Sequence, residues 1–156
     1  MKMTRMLALL PLLILAPVGA VLADDGLITK PSAHSAADTL DRLEAALKKR
    51  GFVVFARLDH AAAAKSKGLT MPASTVLVFG NPKAGTPAML KKPTLAIDLP
   101  LKALVWEDAA GKVMLTYNSA VYVQGTIFPR HGLPTNPTRQ EEVEKALSAI
   151  TDEAVK

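Results

Sequence analysis

Thr75-Val76-Leu77-Val78-Phe79-Gly80-Asn81-Pro82 runs a string of apolar residues straight into a Gly-Asn-Pro turn. A short unbroken apolar run closed by turn residues reads as a strand covered on both faces. Thr75 to Phe79 is therefore expected to be the central strand, with the other elements packed around it. On its N-terminal side, Phe52 to Leu58 is rich in β-branched and aromatic residues and reads as a second buried strand. The most regular helical pattern of the chain precedes that strand. Ser35 stands three residues before Asp38 at capping-box spacing, and Ala36, Leu40, Leu43 and Leu47 share one face. Lys48-Lys49-Arg50 complement its carboxyl end, and Gly51 supplies a left-handed stop. Leu27 to Pro31 reads as a first strand whose pairing Pro31 ends or confines to an edge.

Between these strands, Ala61 to Lys67 favours a short helix that Gly68 ends. Beyond the central strand, Thr86-Pro87 reads as an N-cap with proline in the first helical position, and Pro93 stops that helix. Leu95 to Pro100 reads as extended. Leu101 to Glu107 and Lys112 to Asn118 flank the turn Asp108-Ala109-Ala110-Gly111 and read as a β-hairpin, with Val113, Leu115 and Tyr117 on one face. Ser119 to Leu133 has strand character at Val121-Tyr122-Val123 and Ile127-Phe128, interrupted by Gly125, Pro129 and Gly132. Asn136 then caps a last helix that carries Pro137 in its first turn and turns Val143, Leu147 and Ile150 inward.

The first 23 residues place Lys2 and Arg5 ahead of the apolar run Met6 to Leu15, then Pro17, Gly19 and Val21-Leu22-Ala23 before Asp24-Asp25. These are the parts of a secretory signal peptide, so 1–23 is assigned to a signal peptide and 24–156 to a single domain. Cleavage after Ala23 leaves a periplasmic or secreted protein with no membrane span. Retention as an anchor is the other reading, and the run is shorter than the ~20 residues a spanning helix needs. Setting Lys2 and Arg5 aside from the 19 basic residues leaves 17 against 14 acidic, too mild an excess to point to nucleic acid. Cysteine is absent, which excludes disulfides, thiolate chemistry and Cys-ligated metals.

Residues able to do chemistry are few. His60 beside Asp59 at a strand end reads either as a general base or as a residue that caps the following helix. His34, His60 and His131 are far apart with no two at helical ligand spacing, so no metal site and no cofactor are expected. Gly80-Asn81-Pro82-Lys83-Ala84-Gly85 exposes amides before a lysine but lacks the ending of a P-loop, and a tight turn accounts for it better. Ser74 and Ser119 lie outside any Gly-x-Ser-x-Gly elbow. Arg130-His131-Gly132 is a basic cluster in an apolar stretch, open to an anion or to solvent.

Gly51-Phe52-Val53-Val54 with Asp59-His60, then Leu77-Val78-Phe79-Gly80-Asn81-Pro82, then Asp98 to Asp108 with Gly111 and Tyr117-Asn118, resemble the pattern of the DUF302 family. The likeness spans roughly Leu27 to Leu133. It implies an α+β fold of the TATA-box-binding-protein-like type, a curved antiparallel sheet with helices packed on one face in the order β-α-β-β-β-β-α. That order agrees with the elements read above. The family supplies a fold and no reaction.

Two functions follow as expectations. The first is an exported binding or interaction module for a small amphipathic or acidic ligand, with Asp59, His60, Asn81, Lys102, Arg130 and His131 as ligand-binding candidates. The second is a hydrolase or isomerase with His60 as base and Asn118 or Arg130 stabilising an anion, which requires those residues to converge. Apolar residues beyond one helix layer's reach, Trp106 and Met114 among them, lead to the expectation of a two-fold homodimer. A fold-back of Ser119 to Leu133 over that face is the alternative.

Overall fold

The computed structural model describes residues 26–156, and the expected signal peptide lies outside the described residues. The strands β1 (Leu27–Pro31), β2 (Val53–Asp59), β3 (Ser74–Gly80), β4 (Leu101–Glu107) and β5 (Val113–Asn118) form one sheet in the order β1-β5-β4-β3-β2. All its pairings are antiparallel. The helix α1 (Ala36–Lys49) and the C-terminal helix (Pro137–Val155) pack together on one face. The fold is therefore α+β, with the expected element order and helix layer.

Local chemistry explains the two long helices. Ser35 Oγ accepts the Asp38 amide at 3.1 Å and donates to the Asp38 carboxylate at 2.7 Å, and Asn136 Oδ1 accepts the Arg139 amide at 2.9 Å. Leu40, Leu43 and Leu47 from α1 meet Leu147, Ile150 and Ala154 over a floor of Leu77, Phe79, Ala103, Val105, Leu115 and Tyr117. Charge stitches the layers at their margins. Lys30 Nζ donates to Asp152 at 2.7 Å and to Thr151 Oγ1 at 2.8 Å, and Arg57 reaches Asp41 and Glu44 on α1.

The expected central strand is corrected in two respects. β4 is the middle strand, and β3 is covered on one face only: Leu77 and Phe79 are buried whereas Val76 and Val78 stay half-buried. Strand side chains alternate between faces, so an unbroken apolar run supplies both a covered face and an open one.

Three segments also differ from expectation. After the short helix α2 (His60–Lys65), the helix α3 spans Pro82–Lys91 and starts well before Thr86, because Asn81 Oδ1 accepts the Lys83 amide at 3.0 Å and Pro82 fills the first position. Pro87 falls inside that helix. Pro93–Ile97 is a 3-10 turn around the buried Leu95 instead of an extended segment, and a cis Leu99–Pro100 peptide follows it.

The stretch with strand character is helical over 120–130. Ser119 Oγ accepts the Tyr122 amide at 3.1 Å, Glu144 accepts the Ala120 amide at 2.7 Å, and Ala120, Val123 and Ile127 are buried at helical spacing. Tertiary packing here overrides the β-branched composition.

Candidate functional site

Two cavities open at the end of the sheet where β2 and β4 begin and β3 and β5 finish. Leu99, Pro100, Leu101 and Val123 line both and divide them. The larger is a cleft of about 620 Å³, within the usual range for a small-molecule site. Phe52 and Phe55 at the start of β2, Pro82 and Met89 of α3, and Val123, Gln124 and Phe128 of the 120–130 helix line it. The C-terminal helix contributes Arg139, Glu142 and Val143.

Gln124 sits on a π-turn, Val123–Ile127, within the 120–130 helix. Pro129 has no N–H for the carbonyl four residues back, at Gly125. The Phe128 amide reaches to Val123 instead, and the turn widens there. Gln124 is only 6% exposed, and no hydrogen bond of its side-chain amide occurs among the described residues. It is not sealed either, because His34 Nε2 is the only fully enclosed unpartnered side-chain atom among those residues. Gln124 thus stands in the cleft wall with an amide that solvent can reach. The sequence reading missed Gln124; the proline four residues after Gly125 was the available signal.

The second cavity, about 110 Å³, is lined by Asp98, Lys102, Asn118 and Tyr122 among others. Lys102 Nζ donates to the carbonyls of Asp98 at 3.1 Å and Pro100 at 3.3 Å. Asp98 is the hub of a clasp beside it: its Oδ2 lies 2.6 Å from His131 Nε2, and Arg130 donates to both its oxygens at 3.2 Å. His131 Nδ1 is 2.9 Å from Thr94 Oγ1. The hydrogen bond from His131 outweighs desolvation and, with the charge of Arg130, holds the Asp98 carboxyl below its ordinary range. Arg130 and His131 therefore already share an internal carboxylate. In the sequence Asp98 was read as part of the family pattern and not as a site residue.

Lys102, Asn118, Arg130, His131 and Asn81 all lie at this end of the sheet. Asn81 lines the cleft, while its Oδ1 caps α3. Asp59 and His60 do not join them. Val53 pairs with Gly80 and Asp59 with Thr75, so β2 carries Asp59 and His60 to the opposite end, about 20 Å away by strand rise. There Asp59 Oδ1 accepts the Ala62 amide at 2.8 Å and His60 is an exposed first-turn residue of the short helix His60–Lys65. The base and anion-stabiliser arrangement built on His60 is not assembled. Among the described residues no group of three His, Asp or Glu side chains is placed to hold a metal ion, and no helix is long and apolar enough to cross a membrane.

Comparison with known proteins places this geometry in context. Residues 28–154 match the family model described as "Domain of unknown function DUF302". The crystal structure of an uncharacterized conserved DUF302 protein from Bacillus stearothermophilus superposes with a TM-score of 0.68 at 22% identity, covering 83% of this chain and 98% of that one. Over 117 residues, 75% of its length, the chain is 46% identical to proteins named "Fluoride-specific ion channel FluC 1" from Brucella suis and Brucella abortus. The match takes in 44% of the first and 42% of the second, so the chain spans less than half the length of these relatives.

Proposed function

The chain belongs to the DUF302 family, and on that premise we propose that it is an exported module that binds a small amphipathic or acidic ligand at the end of its sheet. The observation that carries this reading is the apolar cleft of about 620 Å³, whose wall holds the nearly buried Gln124 with no side-chain partner among the described residues. Water reaches this amide in the cleft, and a ligand's polar group can replace that water at little net cost in hydrogen bonding. Export is supported by the basic start and apolar run of Met1 to Ala23. N-terminal sequencing of the exported protein should begin at Asp24, and native mass spectrometry of that material should show a retained small molecule. Mature protein that still begins at Met1, or that carries no added mass and gains none from a periplasmic extract, defeats the reading.

A second reading is favoured by the Brucella relatives. They join a segment like this one to a longer remainder under the name of a fluoride-specific ion channel, which suits a module that docks on a membrane protein. The sheet face turned away from the helices carries the half-buried Val76, Val78, Leu104, Trp106 and Met114 and the exposed Leu58, and we assign that face first to a second copy of the chain.

A further inference from the structure

We infer that the cleft ligand is an apolar monocarboxylate whose head group is received by the Gln124 amide. This rests on the small-ligand reading above and adds the sign and kind of the head group.

The charge of the lining points one way. Lys91 and Arg139 against Glu142 leave one net positive charge, two minus one. Glu142 holds Arg139 weakly, at 3.5 Å between two largely exposed side chains. Two helix amino ends border the same space, α3 after Asn81 and the C-terminal helix after Asn136. Neither has an acidic residue in its first turn. Their dipoles are uncompensated there and favour an anion. Gln124 supplies the independent sign of a ligand: a residue more than nine-tenths buried in the cleft wall, whose amide has no partner among the described residues. Its Nε2 donates to a carboxylate oxygen, leaving Oε1 for a water. Phe52, Phe128 and Met89 offer the remaining wall to an aliphatic or aromatic body. A primary ammonium would meet two positive helix ends and a single carboxylate.

The test titrates the mature protein calorimetrically with octanoate, octylamine and octanol at low salt. Octanoate should bind at least tenfold more tightly than octylamine. Gln124→Met, which keeps length and volume, should weaken octanoate about tenfold while changing octanol less than twofold, and thermal melting checks that the variant is folded. Arg139→Gln, at an exposed position, should reduce the octanoate preference over octylamine without touching Gln124. Octylamine binding as well as octanoate, or octanoate undiminished in both variants, overturns the carboxylate. If Ala84→Trp on the exposed cleft wall still abolishes binding in that case, the small-ligand reading survives alone. No binding of any of the three probes defeats both.

Discussion

The two faces of the sheet are made by the same strands and have opposite fates. On one, Leu77, Phe79, Ala103, Val105, Leu115 and Tyr117 are buried beneath α1 and the C-terminal helix. On the other, Val76, Val78, Leu104, Trp106 and Met114 are half-buried and Leu58 is 49% exposed. Its polar atoms pair within the sheet: Thr29 Oγ1 lies 2.9 Å from Thr116 Oγ1, which also accepts the Trp106 indole N–H at 3.0 Å. The open face is thus already satisfied in hydrogen bonds and unsatisfied in apolar contact. Hydrophobic patterning alone did not separate the two faces; the placement of the helices did.

The largest expected effect sharpens that contrast within two neighbouring residues. Leu77→Ala should cost about 2–5 kcal/mol, because it removes a fully buried side chain and leaves a cavity. Val78→Ala, one residue on and facing the open side, should cost under about 1 kcal/mol in the monomer. Denaturant midpoints measured on dilute protein decide it, and equal losses would mean that both faces are covered.

A smaller effect concerns the ionic margin of the covered face. Lys30 holds the Asp152 carboxyl below its ordinary range, and Lys48 with Arg57 does the same for Glu44. A carboxylate with a lowered folded-state pKa adds stability above its unfolded value, about 4, and loses it as pH falls through the folded value. Lys30→Met should therefore be less stable than the parent at pH 7, by less than Leu77→Ala. The gap should narrow as pH falls below about 4, leaving what the bonds of Lys30 to Ser148 and Thr151 contribute. A gap that stays constant over that range would remove the ion pair from the account.

Much of this architecture was legible in the residues. Ser35 with Asp38, Gly51, the Asp108 to Gly111 turn and Asn136-Pro137 each specify a local conformation, and the structure forms all four. Gly51 and Gly111 both adopt positive φ, 76° and 77°. The misreadings fall where local preference competes with distant contacts. Val121-Tyr122-Val123 is β-branched and aromatic, yet Glu144, far along the chain, caps the helix that it joins. The candidate site was partly legible: Asn81, Lys102, Asn118, Arg130 and His131 gather at one sheet end, whereas Asp59 and His60 are carried to the other by an ordinary strand length. Gln124 carried no motif and Asp98 only its place in the family pattern, since a cleft wall and a charge hub are made by folding rather than by spacing.

The smallest expected change in stability tests what the open face is for. Its edges are poor places to extend the sheet: β1 ends in Pro31, and the β2 pairing is shifted by a bulge between Val54 and Ala56. The 120–130 helix does not fold back over the face but packs at the sheet end, where Glu144 and the C-terminal helix hold it. We propose that a second copy meets the first face to face and buries Leu58, Val76 and Leu104 in one isologous patch. Leu58→Ser removes an exposed apolar residue and should alter monomer stability by no more than about 0.5 kcal/mol. In sedimentation across a wide concentration range, the parent should pass from dimer to monomer, and the emission of Trp106, the only tryptophan, should redden on dilution. Leu58→Ser should move that transition to higher concentration while leaving the denaturant midpoint of dilute protein in place. A parent that stays monomeric with fixed Trp106 emission would mean that the open face awaits a different partner. If Leu58→Ser shifts the dilute midpoint instead, the residue is part of the core and the contrast between the faces is smaller than the burial pattern implies.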